Sequence, residues 1–219
     1  MFNLFKKKED PKPTLRDTLF GDMPMSMWPE GDDKTGEPWN LFVEARTQLD
    51  KKDKNSAIAT LQKITTMPNL ESRHYLQAWH FLRSLGVNPP ADKAKITYGV
   101  VIEVGMEKGA DIVAAYTDFN AYYVNFTGAA TIWQHPDNSL DAEIGALLKA
   151  GQMVAEKIGP WDKARPAPPT NGNVRLNMLT PSGLHFGEGG FKVLSQDPMG
   201  KALIDPATAL MLRLTKLPR

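Results

Sequence analysis

The chain contains the stretch Ile96-Thr97-Tyr98-Gly99-Val100-Val101-Ile102-Glu103-Val104, in which apolar or aromatic side chains recur at every second position. Successive side chains of a β-strand point to opposite faces of its sheet, so alternation with period two predicts a strand. The alternating side chains share one face, and Val101 adds apolar surface to the other. Apolar surface on both faces is typical of a strand in the centre of a sheet.

Downstream of this strand, the pattern predicts antiparallel neighbours. The turns between the next strands are short, and connections of about two to five residues cannot cross over to parallel pairing. A later segment carries apolar side chains at the three and four spacing of an amphipathic helix, which we expect to cover one sheet face. The predicted strands are residues 96–104, 111–116, 121–125, 129–134, 174–179 and 184–186, and the predicted helices that follow the first strand are residues 139–158 and 206–216.

Upstream of the strand, the apolar pattern has the period of helices. Residues 38–86 carry three amphipathic segments, and the last ends at Gly86 before Pro89-Pro90. The expected fold class is α+β, with an N-terminal helical unit followed by an antiparallel β-sheet domain that has helices packed on it. The expected divisions are a mostly irregular N-terminal arm at 1–37, a three-helix unit at 38–90 and an antiparallel α+β domain at 96–219.

Composition excludes several classes of function. The 219 residues carry a formal net charge of +1, so no strong field favours nucleic acid as a partner. The sequence has no cysteine, which excludes disulfides, thiolate metal sites and a cysteine nucleophile and fits a reducing compartment. No apolar run approaches the ~20 residues of a transmembrane helix, and the N-terminus lacks the pattern of a signal peptide. We therefore expect a cytoplasmic protein.

Three segments together resemble an uncharacterised group of bacterial proteins. They are Tyr98-Gly99-Val100-Val101-Ile102-Glu103-Val104-Gly105, Gly159-Pro160-Trp161 and Leu179-Thr180-Pro181-Ser182-Gly183-Leu184-His185-Phe186-Gly187-Glu188-Gly189. The resemblance covers most of the chain after Leu15 and implies a bacterial, cytoplasmic origin. It carries no activity, and therefore it implies no catalytic or binding residue.

Searches for metal and nucleotide sites give no match. His74 and His80 are six positions apart, so on a helix they point in different directions and cannot chelate one metal ion as an i, i+4 pair does. The glycine-rich residues 187–190 follow a strand, but they lack the spacing and the βαβ context of a dinucleotide-binding loop. We expect no metal and no cofactor, and we interpret the histidines as surface or edge side chains.

The most reactive cluster in the sequence is Ser182, His185 and Glu188, with glycines on both sides. A serine, a histidine and a carboxylate can together perform hydrolytic or acid-base chemistry. His185 and Phe186 point to opposite faces of an extended strand, so His185 is accessible to solvent if Phe186 packs inward. The alternative interpretation is a hairpin turn followed by an edge-strand histidine.

The N-terminal arm contains an apolar segment at residues 15–28, the arm segment, which is too apolar to stay in water. Its candidate binding residues are Leu19, Phe20, Met25 and Trp28, because methionine adapts to irregular surfaces and tryptophan is enriched in interfaces. The arm segment either docks on its own chain or binds a protein partner or a second copy. Further upstream, Phe2, Leu4 and Phe5 precede three lysines, a pattern compatible with membrane-surface contact or with a frayed terminus.

The expected function is that of a non-enzymatic protein-binding or accessory protein of the bacterial cytoplasm. The searches for catalytic motifs give no match, and the arm segment offers apolar contact surface. The alternative is a hydrolase or acid-base enzyme whose site surrounds Ser182, His185 and Glu188.

Overall fold

The computed structural model describes residues 14–29 and 35–217. The helices are α1 Leu15–Leu19, α2 Trp39–Asp50, α3 Lys54–Thr66, α4 Ser72–Ser84, α5 Asp141–Ala155, α6 Phe191–Leu194 and α7 Pro198–Leu214. The strands are β1 Gly99–Met106, β2 Gly109–Tyr116, β3 Ala121–Val124, β4 Ala130–Trp133, β5 Asn173–Thr180 and β6 Gly183–Gly190. Helices at the N-terminal side and an antiparallel sheet with helices packed around it confirm the expected α+β class.

The six strands form one antiparallel sheet in the order β4-β3-β2-β1-β5-β6. Strands β1 to β4 are the expected meander, and β5 adds to its other side by pairing with β1. In the register, Val101 of β1 lies opposite Ala114 of β2 and Asn177 of β5. Strand β1 therefore has a neighbour on each side and apolar side chains on both faces, as its sequence predicts.

One sheet face is covered by α5 and α7. Val100, Ile102 and Met178 pack there with Ile144 and Leu210 of the two helices in the largest apolar cluster. Each of these side chains is at most 4% exposed. Removing this apolar surface from water is the main stabilising contribution to the sheet domain.

The opposite face is covered in part by the arm segment. Leu19 and Phe20 pack on Val101, and the Leu19 carbonyl accepts a hydrogen bond from the buried hydroxyl of Tyr116. The backbone amide of Met23 donates to the side-chain oxygen of Gln77 in α4 at 3.0 Å, and the Gln77 side-chain nitrogen donates to the Met23 carbonyl at 2.8 Å. The arm segment is thus attached by apolar burial and by hydrogen bonds both to the sheet and to the helical unit.

The helices α2, α3 and α4 enclose a separate apolar cluster. Its buried members include Phe42, Leu61 and Phe81, and the half-buried Met25 and Trp28 of the arm segment pack against it. The arm segment therefore contacts two clusters, the helical one and the one on the sheet. This arrangement joins the helical unit to the sheet.

A row of charged side chains crosses the sheet beside the arm segment. Glu103 of β1 is opposite Arg175 of β5, which is opposite Glu188 of β6. Arg16 of α1 also donates to Glu103, at 2.6 Å. Arg175 donates further hydrogen bonds to the Pro166 and Ala167 carbonyls, so this row fastens both α1 and the proline-rich connection 160–170 onto the sheet.

Two expected boundaries differ from the structure by more than three residues. The last helix begins at Pro198 rather than at residue 206, because Asp197 caps it by accepting hydrogen bonds from the Met199 and Gly200 amides, and Pro206 lies inside the helix. The sixth strand is longer than residues 184–186. It continues through the glycines to Gly190, because β5 provides backbone partners along this whole length.

The arm segment is also more regular than expected. Residues Leu15–Leu19 form a short α-helix, and Met25–Met27 form a 3-10 turn. Thr14 and Asp17 cap the helix reciprocally. This capping pair is visible in the sequence, but it was not used when the region was predicted to be irregular. Across residues 14–29 and 35–217, no helix has the length and apolar character needed to cross a lipid bilayer.

Candidate functional site

A cleft of about 430 Å³ lies between the arm segment, α4, the connection 160–165 and the β5–β6 hairpin. Its apolar walls are Phe20, Leu76, Trp161, Leu179 and Leu184, and its polar side chains are Asp22, His80, Arg83, Ser84, Asp162, Lys163, Arg165, Thr180 and Ser182. Because these walls come from four distant parts of the chain, the cleft exists only in the folded state. We call this space the hairpin cleft.

Helix α4 presents two nitrogen-rich side chains to the hairpin cleft. His80 and Arg83 are three positions apart, so they lie on the same side of the helix, one turn from each other. The Arg83 guanidinium donates to the Pro181 carbonyl in the hairpin turn. A methyl group built on Gly183 would be 3.7, 3.8 and 3.9 Å from Nε, Cζ and Nη2 of Arg83, so the flat guanidinium faces Gly183.

Arg165 closes the hairpin cleft on the side of the arm segment. Its guanidinium donates to Asp22 at 2.7 Å and to Asp17 at 3.0 Å, and it stacks over the Phe20 ring at 4.2 Å. Despite burial, which opposes the charge, hydrogen bonds and attraction from Asp22 and Asp17 raise the pKa of Arg165. The charge of Arg165 is therefore compensated by two carboxylates, and its side chain joins the connection to the arm segment.

Trp161 stands at the rim of the hairpin cleft with 39% of its surface exposed. Its backbone amide donates to the Leu184 carbonyl at 2.6 Å, and its ring packs edge-on against Phe186. Lys163 lies over the same ring at 5.5 Å. The rim therefore offers an aromatic surface with a positive charge above it.

Ser182 and His185 are in hydrogen-bond contact at 3.0 Å between Oγ and Nε2. The other ring nitrogen, Nδ1, is 3.2 Å from the Ile158 carbonyl, which can only accept, so Nδ1 carries the proton and Nε2 accepts from Ser182. Burial lowers the pKa of His185, and Lys95 adds to this effect against the opposing Ile158 carbonyl. The imidazole is fully buried. The sequence allowed His185 to be accessible to solvent, and the structure shows that it is not.

Glu188, the third member of that sequence cluster, lies elsewhere. Its carboxylate accepts two hydrogen bonds from Arg175, at 2.8 and 2.6 Å, on the sheet face that carries α1. His185 points to the other face, because residues 185 and 188 are an odd number of positions apart on one strand. The structure thus brings together Ser182 and His185 and separates Glu188 from them.

The candidate binding residues of the arm segment are mostly covered by their own chain. Leu19 and Phe20 are at most 4% exposed, and Met25 and Trp28 are half-buried on the helical unit. Phe2, Leu4 and Phe5 lie outside the described residues.

The histidines of α4 are not the surface side chains that the sequence suggested. His74 is 6% exposed and packs against Trp39, while its Nδ1 is buried without a hydrogen-bond partner. His80 is half-buried in the hairpin cleft. Within the described ranges, there is no group of three or more histidine, aspartate or glutamate side chains that could hold a metal ion.

No protein-family model matches the chain, and no curated protein or solved structure matches it.

Sequence reasoning missed Arg83, Arg165 and Trp161 as site residues. They are far apart in the chain, and only tertiary packing brings them together. One local signal was present, since His80 and Arg83 are polar side chains three positions apart on one side of an amphipathic helix. Such a pair is more commonly solvated, so the sequence alone does not single it out.

Proposed function

We propose that this chain is a non-enzymatic binding protein of the bacterial cytoplasm and that the hairpin cleft is its binding site. The observation that carries this proposal is the cleft itself. Its volume of about 430 Å³ lies within the range of roughly 300–1,000 Å³ that is usual for ligand sites, and it combines apolar walls with a few polar groups.

The docking of the arm segment supports the cleft as the binding site. Phe20 and Asp22 form part of its wall, and Leu19 anchors them to the sheet. A partner could bind Leu19 and Phe20 only after the arm segment leaves the sheet, which would expose the apolar surface that both residues bury. The arm segment therefore contributes to binding by shaping the hairpin cleft.

The proposed location rests on two observations about the sequence. The chain lacks cysteine, which is usual where thiols are kept reduced. Its resemblance to a group of bacterial proteins favours the same compartment in a bacterium.

Fragment binding followed by nuclear magnetic resonance tests this function. Fragments that bind should shift the resonances of the Trp161 indole and the Gly183 amide. The variant Ser84→Trp fills the cleft from the end of α4 and should abolish these shifts, whereas Ala59→Trp on the exposed side of α3 should preserve them. A library in which no fragment shifts the cleft resonances, or in which Ser84→Trp has no effect, contradicts the proposal.

A second candidate function is hydrolysis, and the hydrogen bond between Ser182 and His185 favours it. In this reaction the Ser182 oxygen attacks an ester carbonyl while its proton moves to His185 Nε2, which then protonates the departing alcohol. Water subsequently cleaves the acyl-serine and restores both side chains. The backbone carbonyl of Ile158 orients the imidazole in place of the usual carboxylate.

Covalent labelling distinguishes hydrolysis from simple binding. A fluorophosphonate probe should modify Ser182 in the wild type and not in Ser182→Ala, and His185→Gln should slow the labelling strongly if the imidazole is the base. Circular dichroism checks that both variants fold. An unlabelled wild-type protein rejects the hydrolase and leaves the binding function in place.

A further inference from the structure

Arg83 is a half-buried cation that lacks a carboxylate partner among the described residues. Its hydrogen bond to Pro181 uses one of five guanidinium N–H donors, whereas Arg16, Arg165 and Arg175 each form an ion pair. Burial lowers the pKa of Arg83 to about 10, although the charge of Asp22 partly opposes this effect. A half-buried charge without a carboxylate partner is partly desolvated, and an arriving anion would compensate this cost.

His80 provides a second donor beside Arg83. Neither of its ring nitrogens has a hydrogen-bond partner in the described part of the chain, and the ring lines the same cleft. Burial lowers the pKa of His80, with Arg83 and Arg165 adding to the effect and Asp22 opposing it. The neutral imidazole still offers one N–H donor, which suits the second oxygen of a small anion.

The geometry at Arg83 restricts the shape of that anion. Gly183 covers one flat side of the guanidinium and Pro181 takes Nη1, so the edge formed by Nε and Nη2 is left for a ligand. Two parallel N–H bonds from such an edge match the two oxygens of a carboxylate. A planar group therefore fits this site.

The charge of the surroundings restricts the anion further. His80 and Arg83 lie in the last part of α4, where the helix dipole is negative and already offsets part of a cation's charge. The lining also contains the carboxylates of Asp22 and Asp162. Both features disfavour a dianion such as phosphate, whereas the apolar walls at Leu76, Leu184 and Trp161 suit a ligand with an apolar body.

We propose that the hairpin cleft binds the carboxylate of a ligand with an apolar body, with Arg83 and His80 as the hydrogen-bond donors. This inference rests on the proposed binding function and names its ligand class. The carboxylate belongs either to a free organic acid or to the C-terminus of a peptide chain, because both present the same planar group.

Titrations with matched probes test the carboxylate. The probes are 3-phenylpropanoate, its neutral amide, inorganic phosphate, and a short peptide ending in Leu-Phe with either a free or an amidated C-terminus. We expect 3-phenylpropanoate to shift the Trp161 and Gly183 resonances and to bind at least about tenfold more tightly than its amide and than phosphate. Tighter binding of the free-ended peptide than of 3-phenylpropanoate assigns the carboxylate to a chain terminus, and the reverse order assigns it to a free acid.

Two variants show whether Arg83 provides the recognition. Arg83→Met should weaken binding of 3-phenylpropanoate about tenfold or more while leaving the weak binding of the amide unchanged. The control Lys201→Met, on an exposed turn of α7, should change neither. Equal binding of the acid and the amide overturns the carboxylate site but preserves the cleft as a binding site, whereas absence of cleft shifts with every probe overturns both.

Discussion

The guanidinium of Arg175 lies 2.6 Å from Glu188 and 3.5 Å from Glu103, so one buried cation on β5 joins two carboxylates on the strands that flank it. Glu103 is fully buried, and Arg16 reaches it from α1. The row thus couples the edge of the sheet, its centre and the arm segment through charge rather than through apolar contact. Such a network is stable only when every member keeps its partner.

We predict that Arg175→Met lowers the free energy of unfolding by about 3–5 kcal/mol, because it leaves buried Glu103 short of a partner. Chemical denaturation measures this difference. The control Lys201→Met removes an ion pair whose two side chains are about 60% exposed, and it should cost less than about 0.5 kcal/mol. Similar losses in the two variants would show that the buried row contributes no more than a surface pair.

Arg83→Met should have a different effect, although Arg83 is also partly removed from solvent. We predict a free energy of unfolding within about 1 kcal/mol of the wild type, because the variant loses one hydrogen bond to Pro181 but also removes a half-buried charge that has no carboxylate partner among the described residues. Denaturation of Arg83→Met beside Arg175→Met measures the contrast. A large loss would assign Arg83 to structural support rather than to ligand recognition.

Two glycines should respond oppositely to substitution by alanine. At Gly105 a methyl group would overlap the Thr170 carbonyl, so Gly105→Ala should cost about 1–3 kcal/mol by displacing the proline-rich connection. At Gly145, inside α5, nothing lies within 4 Å of the added methyl group, so Gly145→Ala should stabilise the protein by about 1 kcal/mol. Thermal unfolding distinguishes them, and a shift of the same sign in both would contradict the packing described here.

Stability should fall on mild acidification. Burial lowers the pKa of His74 below 6.5, with Arg73 adding to the effect and Glu71 and Asp118 opposing it. The unfolded chain therefore binds more protons as the pH falls below about 6.5, and the native state loses up to about 1.4 kcal/mol per pH unit until His74 also protonates. Denaturation between about pH 7.5 and pH 5.5 measures this slope.

The variant His74→Phe isolates the contribution of this histidine. Its ring preserves the contact with Trp39 without a titratable group, so we expect a smaller pH slope than in the wild type. His80 and His185 keep part of the slope, since burial lowers the pKa of each. An unchanged slope would mean that His74 does not contribute.

The sheet was predictable because its signals are local. Alternation around Val101 and short turns between neighbouring strands define the meander without knowledge of distant contacts. The start of α7 was predicted too late, at residue 206 instead of Pro198, because the Asp197 cap was not recognised and Pro206 lies inside the helix. A proline that lies inside a helix can thus be taken for the start of that helix.

The hairpin cleft was predictable only in part. The hairpin turn brings Ser182 and His185 together within four consecutive residues, so their proximity is visible in the sequence. Arg83 and Trp161 reach the same space through packing of α4 and of the connection on the sheet, which no local period encodes. The separation of Glu188 follows from strand parity and could have been derived.

The position of the arm segment has a consequence for synthesis in the cell. Leu19 packs in the same cluster as Leu179. The ribosome adds Leu19 to the chain long before Leu179, because the two residues are far apart in the sequence. At a synthesis rate of ~5–20 residues per second, roughly 8 to 32 s pass between the synthesis of Leu19 and that of Leu179. During this interval the arm segment lacks part of the surface on which it packs, so its apolar side chains are available to chaperones that bind apolar peptides.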